Sequence, residues 1–196
     1  MQKLVIIGHS FVPRFDEFRA NDESLDCNLG FENTVVSCIG RRGLTLQTAG
    51  SLEGQIRSEG PAEFAIIILG DNDIGKMDTQ SVARGIISFS EQVQDWTGGA
   101  RVIIFSMFPR FWRRDHMYYT PDYNRKAYEV NQYLLQLVDN GRRIFMWESD
   151  AFAITNPRAE RFFNCEGRSG GVHLNSTGNF WLYKAIRKAV GVIKFQ

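Results

Sequence analysis

The feature that most constrains the fold is a regular alternation of short apolar runs with longer amphipathic segments. The apolar runs cover residues 4–7, 34–39, 64–69, 101–105 and 143–147. Nearly every residue within them is apolar and many are β-branched, which is typical of strands that are buried on both faces of a parallel sheet. We therefore expect a sheet of about five parallel strands.

Helical patterns separate these runs. Apolar residues recur at helical spacing in residues 44–58, 81–96 and 123–138, and another helix is expected to begin near Pro13. Ser176-Thr177-Gly178 opens a last helix, for which Ser176 or Thr177 is the expected N-cap. Strands that alternate with helices predict a doubly wound α/β sheet with right-handed crossovers. We expect the 196 residues to form a single domain, residues 1–196.

The composition is that of an ordinary globular protein, and it excludes several other classes. Hydrophobic residues make up 43% and charged residues 23% of the chain, which argues against a disordered or fibrous protein. The net charge of +1 produces no overall field that would attract nucleic acid or a membrane surface. No apolar run approaches transmembrane length, and the N-terminal run is too short for the core of a signal peptide.

Cysteine usage bears on the compartment and on metal binding. The three cysteines, Cys27, Cys38 and Cys165, form an odd set without Cys-x-x-Cys spacing. This pattern predicts reduced thiols in a reducing compartment and argues against a structural metal site. We therefore expect an intracellular, cytoplasmic protein.

Polar segments follow the first three predicted strands. They are Gly8-His9-Ser10, Gly40-Arg41-Arg42-Gly43 and Gly70-Asp71-Asn72-Asp73, and His173 follows the fifth strand. Ligands of open parallel sheets bind outside the carboxyl ends of the strands, so these segments are expected to converge at one edge. A serine hydroxyl is a poor nucleophile until a nearby imidazole takes its proton. Ser10 and His173 therefore predict acyl-transfer chemistry, whereas His9 and His116 are assigned no catalytic role.

The four segments resemble, in order, the sequence blocks of the SGNH hydrolases, also called GDSL-type esterases or lipases, which have a flavodoxin-like three-layer fold. The blocks of that family are Gly-Asp-Ser, a glycine block after the second strand, Gly-x-Asn-Asp, and Asp-x-x-His before the last helix. This chain has Gly8-His9-Ser10, Gly40-x-x-Gly43-Leu44-Thr45-Leu46, Gly70-x-Asn72-Asp73 and Val172-His173-Leu174-Asn175-x-x-Gly178. The matches span nearly the whole chain, and the resemblance implies the same fold.

The resemblance also implies a role for each matching residue. Ser10 is the implied nucleophile, and His173 is the implied general base and acid. The backbone N–H groups of Ser10 and Gly43 and the side-chain amide of Asn72 form the implied oxyanion hole. Loss of one such donor typically costs about 10²–10³ in turnover. The family requires no metal ion or organic cofactor, and we expect none here.

Each of these residues also has a purely structural interpretation. Ser10 could cap the helix that follows it, and Asn72 could close an Asx-turn. Gly43 could be a turn glycine with positive φ, and Gly40 competes with it for the oxyanion role. His173 could be a surface histidine, although the blocks around it favour the catalytic interpretation.

The chain departs from the family at the acid that orients the catalytic histidine. Gly170 occupies the position three before His173, where the family has aspartate. Losing this function costs serine proteases roughly 10⁴ in turnover, yet a serine–histidine pair with an intact oxyanion hole could remain active. A backbone carbonyl near Gly170, the carboxylate of Asp150 or that of Glu166 could orient the ring instead. Alternatively, the site could bind a ligand without cleaving it.

A segment rich in aromatic residues and arginine, residues 105–125, begins at the last residue of the fourth predicted strand. As the wall of a substrate pocket it would contribute Phe108, Arg110 and Trp112, together with His9, which replaces the family's aspartate beside the serine. The alternatives are a packed loop whose arginines stack on aromatic rings, or a surface for a lipid or single-stranded nucleic acid. Compact esterase domains of this kind occur in some retroelement proteins, but the balanced net charge argues mildly against nucleic-acid binding.

We therefore expect a serine esterase that hydrolyses small acyl esters, such as acetyl groups on a carbohydrate or a lipid, through Ser10, His173 and the oxyanion hole. The competing hypothesis is a catalytically impaired binding or assembly module of the same fold, in a retroelement or nucleic-acid context. Gly170 and the segment rich in aromatic residues and arginine favour that alternative.

Overall fold

The computed structural model describes residues 1–111, 120–138, 141, 143–165 and 170–194. Within these residues, parallel strands form one sheet, and they are β1 (Gln2–Gly8), β2 (Thr34–Gly40), β3 (Phe64–Ile68), β4 (Arg101–Phe105) and β5 (Ile144–Trp147). Their spatial order is β2-β1-β3-β4-β5. Each strand overlaps one of the predicted runs, so the predicted doubly wound α/β fold is confirmed.

Helices pack on both faces of this sheet. In the described part of the chain they are α1 (Phe11–Asn21), α2 (Leu46–Ala49), α3 (Glu53–Ser58), α4 (Thr79–Trp96), α5 (Thr120–Leu137) and α6 (Ser176–Lys194). The pattern in residues 44–58 predicts one helix, whereas the structure has two short ones joined by a 3-10 turn at Gly50–Leu52. Gly50 lies at this break, where its low helix propensity favours an interruption. None of the described helices has the length and hydropathy that spanning a membrane requires.

The sheet separates two hydrophobic cores, one on each face. Successive side chains of a strand point to opposite faces, so Val5 and Ile7 enter one core while Leu4 and Ile6 enter the other. Helices α2 to α5 cover the first core, and α1 and α6 cover the second. Because both faces are covered, the strands are apolar throughout.

Two glycines allow the carboxyl ends of the strands to lie close to their neighbours. A Cβ atom on Gly8 would lie 2.1 Å from the carbonyl oxygen of Ile68 on β3. A Cβ atom on Gly40 would lie 2.8 Å from Pro13 of α1. Contacts this short exclude a side chain at either position. Gly8 therefore lets the ends of β1 and β3 lie close together, and Gly40 lets α1 pack against the end of β2.

The chain order of the strands reverses at β1. β2 lies on one side of β1, and β3, β4 and β5 follow on the other side. In sheets of this type the reversal leaves a crevice at the carboxyl ends of the strands, where ligands bind. Ser10 and Asn72 follow the two strands that flank this crevice.

Candidate active site

Ser10 lies where β1 passes into α1. Its backbone is helical, with φ −55° and ψ −19°, and it occupies the N-cap position of α1. The side chain makes no capping hydrogen bond, so the structure does not support the interpretation of this serine as a cap. The half-buried hydroxyl is therefore available to a ligand.

A small pocket of about 40 Å³ lies at the crevice beside Ser10. Its wall is formed by His9, Ser10, Phe11, Asp71, Asn72, Phe108, Pro109, Arg110, Val172 and His173. The structure thus brings Ser10, Asn72 and His173 to one pocket, together with three of the four predicted pocket residues. Trp112, the fourth of these, and His116 lie outside the described residues.

His173 lies in the loop before α6, and this loop is tied to the segment that precedes it. The N–H of Asn164 donates to the carbonyl of His173 over 2.7 Å, and Leu174 pairs with Phe163 in an isolated antiparallel bridge. These contacts fix the backbone on both sides of the imidazole.

Asn175 caps α6 at its N-terminus. Its side-chain oxygen accepts a hydrogen bond from the N–H of Gly178 at 2.8 Å, in the geometry of an N-cap. The prediction of Ser176 or Thr177 as the cap is therefore wrong, because α6 already begins at Ser176. The asparagine side chain supplies the acceptor, so the helix starts one residue earlier than that prediction requires.

The imidazole of His173 is half-buried and has positive charges around it. Burial lowers its pKa, and the charges of Arg14, His9, Arg110 and Arg42 lower it further, from 6.5 to about 4. The ring is therefore neutral at physiological pH, as a general base must be. The same surroundings disfavour the imidazolium that forms when the ring accepts a proton.

The orienting group behind His173 is not found among the described residues. The Nδ1 atom of the ring is buried and has no hydrogen-bond partner there. Gly170 is buried in the same loop, whereas Asp150 is exposed and lines a separate pocket. Glu166 lies outside the described residues. Neither Asp150 nor a described backbone carbonyl therefore bonds to this nitrogen.

The loop that carries Asn72 is tied to the loop that carries Gly43. The amide of Asn72 donates to the carbonyl oxygen of Leu44 over 2.9 Å. The carboxylate of Asp73 accepts a hydrogen bond from the N–H of Leu46 at 3.1 Å. The Asn72 amide carries two donors, so its second N–H is left for a ligand.

Gly40 and Gly43 are glycines for different reasons. Gly40 must lack a side chain because α1 packs against it. Gly43 has φ of +72°, and a Cβ atom at this position would have no described neighbour within 4 Å. Its backbone conformation alone therefore favours glycine. Gly43 is exposed and does not contribute to the pocket wall, which is the arrangement expected of a turn glycine.

A buried polar network lies beside Ser10 and Asn72, and we call it the His9–Asp71 network. His9 Nε2 lies 2.8 Å from Asp71 Oδ2, and the hydroxyl of Tyr123 donates to Asp71 Oδ1 at 2.8 Å. Arg110 Nη2 donates to the backbone carbonyl of Asp71 at 2.9 Å. The guanidinium also lies 4.0 Å above the ring of Tyr123, in a cation–π contact. Four residues from three loops and one helix thus meet at Asp71.

The surroundings of Asp71 keep its carboxyl ionised. Burial would raise the pKa of Asp71, but the charge and hydrogen bond of His9, the charge of Arg110 and the Tyr123 hydroxyl outweigh burial and lower it. Burial and the negative charge of Asp71 raise the pKa of Tyr123 well above 10.0. An ionised carboxylate only accepts hydrogen bonds, so Nε2 of His9 carries the proton of the bond to Asp71.

Part of this network, the pairing of His9 with Asp71, could be predicted from the sequence. His9 replaces the family's aspartate, and an acid, Asp71, stands at the variable position of the Gly-x-Asn-Asp block. Since β1 and β3 are neighbours, an imidazole and a carboxylate just past their ends can pair. No local sequence pattern predicts that Tyr123 of α5 takes part in the network. The described residues contain no group of three His, Cys, Asp or Glu side chains that could hold a metal ion.

Comparison with known proteins gives matches of structure but not of sequence. No protein-family model matches the chain, and no curated protein matches it. A lipase/acylhydrolase from Enterococcus faecalis is 16% identical, with a TM-score of 0.63, and the alignment covers 97% of this chain and 95% of that chain. A member of the lipolytic G-D-S-L family from Veillonella parvula is 15% identical, with a TM-score of 0.62 and coverage of 96% and 97%.

A third similar structure is a mutant of Axe2, an acetyl-xylooligosaccharide esterase from Geobacillus. It is 13% identical, with a TM-score of 0.63, and the alignment covers 97% of this chain and 94% of that chain. Identities this low establish a common fold and leave the activity to be tested. The structural neighbours of this chain are thus GDSL-type, or SGNH, lipases and acylhydrolases, and the chain shares their fold over nearly its whole length.

Proposed function

We propose that this protein is a serine ester hydrolase of the SGNH type that acts on short acyl esters. The observation that carries the proposal is the common pocket of Ser10, Asn72 and His173, which come from the ends of different strands. The hydroxyl of Ser10 is not used for capping, and the neutral ring of His173 is able to accept a proton. The shared fold of lipases and acylhydrolases supports the same chemistry.

In the proposed reaction, Ser10 Oγ attacks the ester carbonyl while His173 takes the hydroxyl proton through Nε2. The carbonyl oxygen becomes an oxyanion, which accepts hydrogen bonds from the N–H of Ser10 and from the second N–H of the Asn72 amide, whereas Gly43, the third donor expected from the sequence, does not line the pocket. His173 then returns the proton to the departing alcohol, leaving an acyl group on Ser10. A water molecule, activated by the same imidazole, hydrolyses this acyl-enzyme.

The size of the pocket favours a small acyl group. A volume of about 40 Å³ is well below the roughly 150 Å³ of an apolar cavity that binds benzene. Phe11 and Phe108 pack with their ring centroids 5.0 Å apart and limit the depth of the pocket. An acetyl group on a carbohydrate or a lipid fits these limits, and the esterase Axe2, named for acetyl-xylooligosaccharides, has the same fold.

Labelling with a fluorophosphonate tests the proposal without knowledge of the alcohol. We expect a covalent adduct on Ser10 and measurable hydrolysis of an activated acetyl ester. Ser10→Ala should abolish both while keeping the circular dichroism spectrum of the wild type. Asn72→Ala should reduce turnover by about 10²–10³, less than loss of the nucleophile, because the backbone N–H of Ser10 remains. Folded wild-type protein that gives neither an adduct nor hydrolysis would contradict the proposal.

One observation favours a second candidate function, a binding or assembly module. Nδ1 of His173 lacks a partner in the described part of the chain, and Gly170 replaces the acid that would stabilise the imidazolium. A site of this kind could bind an ester or a carbohydrate without cleaving it. This function would be supported if acetylated oligosaccharide bound to the wild type and to Ser10→Ala with equal affinity and without turnover.

A further inference from the structure

Ser10 and Asn72 come from separate loops, and their immediate neighbours are bonded to each other. His9 precedes Ser10, and Asp71 precedes Asn72. The hydrogen bond of 2.8 Å between His9 Nε2 and Asp71 Oδ2 therefore crosses the crevice. It joins the residue before the proposed nucleophile, Ser10, to the residue before the proposed oxyanion donor, Asn72.

The rest of the network fixes Asp71 from other directions. Tyr123 holds Oδ1, and Arg110 holds the backbone carbonyl. The side chains of His9 and Asp71 are only 3% and 6% exposed, so solvent does not compete for their hydrogen bond. The backbone next to Asn72 is thus held by contacts from the loop after β1, from the loop after β4 and from α5.

A buried carboxylate is an inefficient way to stabilise a fold. Removing the charge of Asp71 from water costs free energy that its hydrogen bonds often fail to recover, and apolar residues of similar volume are frequently as stable. The Nδ1 atom of His9 is also buried and lacks a hydrogen-bond partner among the described residues, which adds to the cost. Core packing alone does not require the His9–Asp71 pair. A role in positioning the neighbouring residues accounts for it.

We propose that the His9–Asp71 pair is a positioning device, which sets the distance between the hydroxyl of Ser10 and the amide of Asn72. This inference rests on the esterase activity proposed above. His9 and Asp71 act through their neighbours and transfer no proton themselves. Their effect appears when the oxyanion forms, because the Asn72 amide then has to meet the oxygen of a carbonyl attacked by Ser10. Loss of such alignment lowers kcat with little change in KM.

The test compares His9→Leu, which removes the bond to Asp71, with His9→Gln, which keeps a donor. For an activated acetyl ester we expect His9→Leu to lower kcat by about 10²-fold and His9→Gln by about tenfold, with KM changed less than about threefold. Thr97→Val is the control, because Thr97 is buried at the other end of α4, where its hydroxyl donates to the carbonyl of Val93. It should lower stability and leave kcat unchanged.

A double-mutant cycle distinguishes positioning from a general structural role. If His9 acts through the Asn72 amide, then His9→Gln should cost less than about threefold in kcat when Asn72→Ala is already present. Equal costs in both backgrounds would overturn the proposal.

If His9→Leu fails to fold, His9→Gln and this cycle still decide the question. Wild-type kcat in His9→Gln and Asp71→Asn, with normal labelling of Ser10, would overturn the positioning role and leave the esterase intact. Absence of any Ser10-dependent adduct in the wild type would overturn both.

Discussion

Two histidines face the same pocket in opposite electrostatic surroundings. His9 donates from Nε2 to the buried, ionised carboxylate of Asp71. His173 has no carboxylate partner in the described part of the chain, and its pKa is lowered to about 4 by burial and by nearby cations. Among the described residues, the site thus has a carboxylate behind the histidine next to the nucleophile and none behind the proposed base.

This difference separates two tasks that one acid performs in a serine triad, namely orienting the imidazole and stabilising its positive charge. Hydrogen bonds hold the backbone of the loop that carries His173, but burial and the cations Arg14, Arg110 and Arg42 oppose protonation of the ring. We therefore expect slow turnover that is limited by proton transfer to His173.

The largest expected effect is on stability. Asp71→Asn weakens two buried hydrogen bonds to an ionised carboxylate, each worth about 1.5–3 kcal/mol, so it should lower the free energy of unfolding by about 3–5 kcal/mol in urea titrations. His173→Gln removes a ring nitrogen without a described partner and should cost about 1 kcal/mol or less. Asp122→Asn, at an exposed carboxylate, is the control for loss of charge and should cost least. Similar losses of unfolding free energy in Asp71→Asn and His173→Gln would show that His9 and His173 are held equally firmly.

The titration of His173 is the second test. Its pKa is about 4 in the folded chain and near 6.5 when unfolded, so between these values the unfolded chain binds more protons. The free energy of unfolding should therefore fall as the pH drops from 6.5 towards 4, and this part of the dependence should vanish in His173→Gln. Histidine ring shifts measured by NMR should give a midpoint near 4 for His173. A midpoint above 6 would reveal a carboxylate partner.

Supplying the missing acid should have a smaller effect. Gly170→Asp places a carboxylate three residues before His173, where it should raise the pKa of the ring and increase kcat by about tenfold. Gly170 is buried, so unfolding curves are needed to show that the variant folds. An NMR titration and ester kinetics on the same sample check both expectations. A raised pKa without faster turnover would mean that the charge of His173 does not limit the rate.

The smallest effect is expected at the alternative acids. Asp150 lies in a separate pocket, so Asp150→Asn should change kcat by less than about threefold. We expect the same of Glu166→Gln, with a water molecule behind His173. Esterase kinetics with Ser10 and His173 intact provide the measurement. A loss of two to four orders of magnitude in either variant would identify that residue as the orienting acid.

Much of the fold follows from local sequence patterns. Strands buried on both faces are apolar throughout, so β1 to β5 are visible as runs, and the strand ends locate Ser10 and Asn72. The same reasoning predicts one helix in residues 44–58, where Gly50 and a 3-10 turn divide it. It also misses the Asn175 cap, because an asparagine and a serine are similar candidates in sequence and only the hydrogen bond to Gly178 distinguishes them.

Local sequence patterns are enough to predict the parallel sheet, the order of its elements and the residues at the carboxyl ends of the strands, because periodicity and β-branched runs are local properties. The contacts between polar side chains depend on the folded chain. Asp71 contacts His9 from the loop after β1, Tyr123 from α5 and Arg110 from the loop after β4, and no local pattern relates such distant positions. The ionisation of Asp71 and the lowered pKa of His173 arise from burial and from charges brought close by folding, so both belong to the assembled site.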